Sequence, residues 1–262
     1  MAAEQGNIDP MHQFQLEPIF RGFELGGQQI AFTNSALWML IVLASLWLFM
    51  LGGMKRQLVP GRWQAAVEGF TGFISSMMMT NIGPEGRKFT PYVFSIFMFI
   101  LFANVLGMLP FGIIPGVHPF TVTSHFAITG VLAIVSFSIV LIVGFARHGL
   151  HFFSFFVPHG APVWMLPLLV PVEFVSFMVR PFSLGLRLFV AMMAGHILLK
   201  VLGGFVINGA NADALWIPIV VSIPSFVLMV AVNALELLVA VIQAYVFALL
   251  TSLYLNDAIH LH

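Results

Sequence analysis

Apolar residues come in long runs along this chain, separated by short polar stretches. The first run is Ala36 to Met54, closed by Lys55 and Arg56. About 20 apolar residues cross a bilayer as a helix, so 34–54 is predicted to span one. Trp38 and Trp47 are placed to anchor its ends. The segment 61–80 has another pattern. Trp63, Ala66, Val67, Phe70, Ile74 and Met77 recur at helical spacing, while Gln64, Glu68, Thr71 and Ser75 take the other side. That predicts an amphipathic helix lying on the membrane surface. A second span covers 89–109; it contains Asn104 and stops at Pro110. The loop Phe111 to Phe120 holds two prolines and two glycines. A third span covers 123–146, followed by Arg147, His148 and His151.

Two long segments close the chain, 161–206 and 214–256, with a polar turn from Asn208 to Asp213. Ser225 to Leu255 contains no Gly and no Pro, so no turn divides it. As one helix it would measure about 46 Å, against a hydrocarbon core of about 30 Å. Such a helix must lie well away from the membrane normal, and packing against a partner must hold it there. The predicted fold class is an all-α polytopic membrane protein in a single membrane domain, 1–262. It has five membrane-embedded helices and one amphipathic surface helix, the last two spans being long and steeply inclined.

Composition agrees. Of 262 residues, 60% are hydrophobic and 8% charged, whereas soluble domains carry about 25% charged residues. Ten acidic side chains balance ten basic ones. No basic stripe exists to neutralise phosphates, so no nucleic-acid partner is expected. The absence of Cys excludes disulfides, thiolate metal sites and Cys nucleophiles. Residues 1–33 are polar and mildly acidic and do not read as a secretory signal. Lys55, Arg56, Arg62, Arg87, Lys88 and Arg147 fall on one side if the spans alternate. By the positive-inside rule that side is the cytoplasm or the matrix, and the N-terminal segment is extracytoplasmic.

Ionisable groups in a membrane cost about 2.5–3.5 kcal/mol each on insertion scales. The last two segments nevertheless carry Glu173, Arg180, Arg187, His196, Lys200 and Glu236. Lys200, and in part Arg180 and Glu173, are close enough to the ends to snorkel. Arg187 and Glu236 are surrounded by apolar residues and point to function. His196 lies nine positions after Arg187, about 180° around the helix and about 13 Å along it. Arg187 is therefore expected to face a partner helix, with Ala191, Ala194 and Gly195 leaving room for close contact. His196 is expected to face its own protein. Asn233, Glu236, Ala240, Gln243 and Ala244 form a stripe fit to line a wet crevice. Arg stays protonated in proteins, so Arg187 is a fixed charge rather than a relay. His196 and Glu236 can both pass protons.

These residues resemble a known family. Ser183-Leu184-Gly185-Leu186-Arg187-Leu188-Phe189 with Ala194-Gly195-His196 is similar to the signature of the a subunits of F-type ATP synthases. Glu236-Leu237 with Ile242-Gln243-Ala244-Tyr245-Val246-Phe247, and Asn104 through Pro110, carry the resemblance further. It implies that Arg187 is an essential gate facing a ring of c subunits. It implies that His196 and Glu236 form the outer half-channel pair, with Gln243 near Arg187. Glu173 would belong to the inner half-channel, and Asn104 and Asn233 would line the channel. It also implies b-type peripheral stalk partners, a whole ATP synthase complex, no catalysis by this chain alone, and no cofactor or metal. Many bacterial members exchange the acid and the imidazole between positions 196 and 236. The order seen here, and the longer N-terminus, imply bacteria related to mitochondria, with the bacterial inner membrane as location and the mitochondrial inner membrane second. Ala191 stands where an Asn is common, and Gly107 where some members have an acid. Two other readings are a metalloenzyme using His148, His151 and His159, and a free-standing ion-coupled transporter.

Overall fold

The structure, a computed structural model, describes residues 18–20, 24–25, 28–29, 32–54, 57, 59–109, 121–149, 151–152, 163–211, 216 and 218–260. Its order is β1 (Pro18–Phe20), β2 (Glu24–Leu25), β3 (Gln28–Gln29), β4 (Phe32–Thr33), α1 (Asn34–Gly53), α2 (Arg62–Asn81), α3 (Thr90–Met108), α4 (Phe126–His148), α5 (Leu166–Ala210) and α6 (Ile223–Ile259). Five of these helices are long and apolar enough to cross a membrane, and α2 is the sixth. The chain is an all-α polytopic membrane protein apart from one small feature. The N-terminal segment folds back on itself, β1 pairing antiparallel with β4 and β2 with β3. Leu25 pairs with Gln28, and Gly26-Gly27 lies between them in sequence, a pair suited to a two-residue hairpin turn. The sequence reading did not expect this ribbon.

The helix bounds follow the apolar runs. The spans expected at 34–54, 89–109 and 123–146 form α1, α3 and α4 within a few residues. Val122 to Ser124 make a 3-10 turn before α4 rather than its first turn. The segment expected at 161–206 is helical from Leu166 to Ala210. Pro171 and Pro181 lie inside that 45-residue helix. The final segment begins as a π-helix at Pro218–Ser222 and runs on as α6, 37 residues without a break. At 1.5 Å per residue α6 is about 55 Å long, almost twice a hydrocarbon core. The loop Phe111 to Phe120 lies outside the described residues.

Polar contacts fix how the helices run. At one end, Arg147 closing α4 pairs with Glu85 in the turn before α3. At the other, Thr121 just before α4 donates to the carbonyl of Gly107 near the end of α3, at 3.2 Å. α3 and α4 are thus an antiparallel pair. His196 reaches Glu236, and Arg180 reaches Asp257 at 2.8 Å, so α5 and α6 are antiparallel too. The core lies where α3 and α4 meet α2, the middle of α5 and the C-terminal half of α6. Ile74, Met78, Val93, Met98, Ile100, Phe152, Leu188, Met192, Phe247 and Leu255 are fully enclosed there. Of the expected apolar face α2 buries Val67, Ile74 and Met77, and Met78 beside them, whereas Trp63 and Ala66 are exposed. Gln64, expected on the polar side, is buried instead. Its amide nitrogen donates to Glu68 at 2.8 Å and to the carbonyl of Gln57 at 3.3 Å, while its side-chain oxygen is buried with no hydrogen-bond partner among the described residues.

Candidate functional site

The last two helices are joined by two ion pairs, and the candidate site lies at and between them. His196 projects from α5 toward α6, and its Nδ1 is hydrogen-bonded to Glu236 Oε1. Glu236 is 3% exposed, a carboxyl group almost wholly removed from solvent. Two glycines make the space. A Cβ at Gly195 would stand 2.8 Å from the Glu236 carboxyl carbon, so any side chain there would push the acid off the imidazole. A Cβ at Gly107 would collide with Thr121.

The other face of the imidazole meets a hydroxyl. His196 Nε2 is in hydrogen-bond contact with Thr121 Oγ1. Thr121 opens the 3-10 turn before α4, and Ser124 Oγ donates to its carbonyl at 2.6 Å. From the same turn, Thr123 donates to Asn104 Oδ1 at 2.7 Å. The Asn104 amide then donates to the carbonyl of Ala240 on α6 at 3.1 Å. Asn104 and Thr123 are both fully buried. Buried polar groups are costly unless partnered, and here they hold one another. Glu236 Oε2 is the exception: it is buried with no hydrogen-bond partner among the described residues. Burial pushes His125, just before α4, below the usual histidine value.

At the opposite end Arg180 bonds Asp257 and lies over the rings of Tyr254, at 5.2 Å, and Phe177, at 5.5 Å. Sequence reasoning took Arg180 as partly snorkelling and did not single out Asp257. The guanidinium is a fixed cross-brace between α5 and α6. Arg187 falls between the two pairs, seven residues after Arg180 and nine before His196. It is exposed and makes no hydrogen bond or ion pair among the described residues.

The structure brings His196 and Glu236 together and ties Asn104 to Ala240, four residues after Glu236, and to the turn that carries Thr121. Glu173 is half-buried on the first part of α5. Gln243 is half-buried on α6, between Glu236 and Asp257 as Arg187 is between their partners. Asn233 is exposed. The expected stripe is therefore not one face: Glu236, Ala240 and Ala244 are buried while Asn233 points away. Gly195 also needs correction. It faces Glu236 rather than the Arg187 side. Ala194 is exposed and Ala191 half-buried, so these two remain with Arg187.

His148 contacts the carbonyl of Ile259 at 3.2 Å. Among the described residues no group of three His, Cys, Asp or Glu is placed to hold a metal ion, and His159 lies outside them. Sequence reasoning missed Thr121 and Thr123. Their only signal was a run of hydroxyls, Thr121, Thr123 and Ser124, ahead of an apolar helix.

Helices long enough to cross a bilayer, with an acid and an imidazole bonded between two of them and an exposed arginine that has no ion pair among the described residues, define a class: a polytopic membrane protein with ionisable groups inside its spans. The sequence pattern of the ATP synthase A chain family matches residues 35–256. The chain is 74% identical to "ATP synthase subunit a" of Sphingopyxis alaskensis, over the whole of both chains. It is 71% identical to the protein of that name from Rhizorhabdus wittichii, again over the whole of both. With that from Bradyrhizobium diazoefficiens it shares 49% identity, over 97% of this chain and 98% of the other. The chain belongs to the a-subunit family of F-type ATP synthases. It is a membrane-sector part of an ATP synthase complex, with roles in ATP synthesis and proton transport.

Proposed function

We propose that this chain is the proton-conducting stator subunit, with two offset half-channels separated by Arg187. The outer half-channel is the buried polar network of Asn104, His196 and Glu236. It delivers protons to carboxylates on a ring of c subunits packed against α5 and α6. Glu173 lines the inner half-channel, and Gln243 lies near the gate. Arg187 is a permanent cation on the ring-facing surface. It favours the ionised form of a passing carboxylate and so forces each proton to leave by the inner path.

The observation that carries this reading is the contrast on one helix. Arg187 is exposed and unpaired among the described residues, whereas His196 is bonded inward to Glu236 and Thr121. The broad exposed apolar surface of α6, including Phe226, Val230, Leu235 and Val241, suits a helical partner in lipid. The chain catalyses nothing alone. α2 lies on the membrane surface, α5 and α6 are steeply inclined, and the basic ends face the cytoplasm. The b-type stalk subunits hold the chain still. The alphaproteobacterial relatives support the bacterial inner membrane as its location. No observation favours a free-standing transporter.

The test is proton-driven ATP synthesis in membranes carrying Arg187→Ala or Arg187→Lys. Both are expected to abolish or nearly abolish synthesis, although Lys keeps a charge, because a desolvated Lys can lose its proton. Near-normal synthesis in either variant overturns the assigned role.

A further inference from the structure

We infer that Thr121 is the relay hydroxyl of the outer half-channel, exchanging protons with His196 through Nε2. The inference rests on the proposed His196–Glu236 path and adds the group that feeds it. Thr121 Oγ1 has two neighbours in hydrogen-bond range, His196 Nε2 and the carbonyl oxygen of Gly107. A hydroxyl has one proton to donate and lone pairs to accept with. When Nε2 is bare, Thr121 donates to it. When Nε2 carries a proton, the imidazole donates to Thr121 and the hydroxyl turns to the Gly107 carbonyl. In both states the hydroxyl and Nε2 are partnered. An apolar side chain at this position would satisfy neither.

The relay step balances. A hydronium ion on the outer side gives a proton to Thr121 Oγ1, forming one O–H bond and leaving water. The hydroxyl's own O–H bond breaks as its proton passes to Nε2. Thr121 ends neutral, and His196 ends as an imidazolium. The ionised Glu236 carboxyl, bonded to Nδ1, balances that charge. The imidazolium then yields its Nδ1 proton to Glu236.

Position supports the role as much as partners do. Thr121 is 3% exposed and packs directly on Gly107, so its hydroxyl is held in place rather than left to wander. That contact also accounts for Gly107 in this chain: an acid there would have to displace Thr121.

The experiment reads ATP-driven proton pumping by the whole complex in inverted membrane vesicles, normalised to assembled complex. Thr121→Val keeps the shape and removes the hydroxyl, and is expected to lower flux about a hundredfold, the scale of a lost proton-transfer group. Thr121→Ser restores the hydroxyl and is expected to restore most of the flux. Wild-type flux in Thr121→Val overturns the relay. So does an equal loss in Thr121→Ser, because shape would then be what matters. If Thr121→Val does not assemble, Thr121→Cys is read in its place. A thiol is a weak donor, so its flux should fall clearly below that of Thr121→Ser, and equality between the two overturns the relay. His196→Ala and Glu236→Ala run alongside. Normal flux in those two sinks the half-channel reading itself; loss there with normal flux in Thr121→Val sinks only the relay.

Discussion

Two ion pairs tie α5 to α6, and they differ in every property that matters to proton movement. His196–Glu236 is buried, with side-chain exposures of 14% and 3%, and both members can titrate. Arg180–Asp257 is more open, at 21% and 33%, and its cation keeps its proton at any physiological pH. The first pair continues to the Thr121 hydroxyl, and the same turn carries Thr123, bonded to Asn104, which bonds Ala240 on α6. The second is flanked by the rings of Tyr254 and Phe177. A buried, titratable, networked pair suits transfer. A permanently charged pair among aromatics suits bracing. Arg187 lies between them on the same helix with neither arrangement: it is exposed and makes no hydrogen bond or ion pair among the described residues, which is what the proposed gate toward another subunit requires.

The largest effect should come from the residue that belongs to neither pair. Arg187→Ala should lower proton-driven ATP synthesis at least about a hundredfold, the scale of losing a preorganised charge at a reaction centre. If Arg180→Ala proved as damaging while Arg187→Ala was tolerated, the contrast between gate and brace would be reversed.

Next is the buried pair. His196→Ala and Glu236→Ala should each slow flux strongly, and the double variant should be little worse than the poorer single one. Residues in one network show coupling of about 0.5–3 kcal/mol, so their effects do not add. Additive losses would place them on separate paths. Gly195→Ala should behave like a mild member of this set, since its new methyl would meet the Glu236 carboxyl group.

The surface between the pairs gives a test of faces. Ala191→Cys and Ala194→Cys should cross-link to an outward-facing Cys on a ring subunit, and no native thiol competes. Gly195→Cys should not, because that position faces Glu236. Cross-linking at Gly195 as ready as at Ala194 would mean that α5 is rotated relative to its ring-facing surface.

The last point shows where sequence stops being readable. On a helical wheel Ala194 and Ala191 fall within about 40° of Arg187, whereas Gly195 falls about 80° away, almost midway to His196. A small residue at such an edge reads equally well as room for a foreign helix or for a neighbouring side chain, and only the position of Glu236 decides. The spans were legible because apolar runs of sufficient length have one solution in lipid. His196 and Glu236 were legible because charge in that setting is expensive. Thr121 and Thr123 were not, since hydroxyls before a helix look like ordinary capping residues. Asp257 was hidden for a similar reason: beside Asn256, near the end of an apolar run, it looks like a residue leaving the membrane.

The smallest effect should come from the open pair. Asp257→Asn removes the acid's charge but keeps its size and a hydrogen-bonding oxygen. Arg180 would keep its contacts with Tyr254 and Phe177, which hold the guanidinium whether or not the acid is charged. Exposed ion pairs contribute about 0.2–1 kcal/mol, so the amount of assembled complex should fall only slightly. Flux per assembled complex should be unchanged, because no proton passes through a guanidinium. Measuring both quantities in the same membranes separates the roles: a brace moves the first and leaves the second. Should Asp257→Asn leave assembly intact yet cut flux as deeply as Glu236→Ala, then Asp257 lies on a proton path, and the two pairs are two ends of one conducting device rather than a channel and its brace.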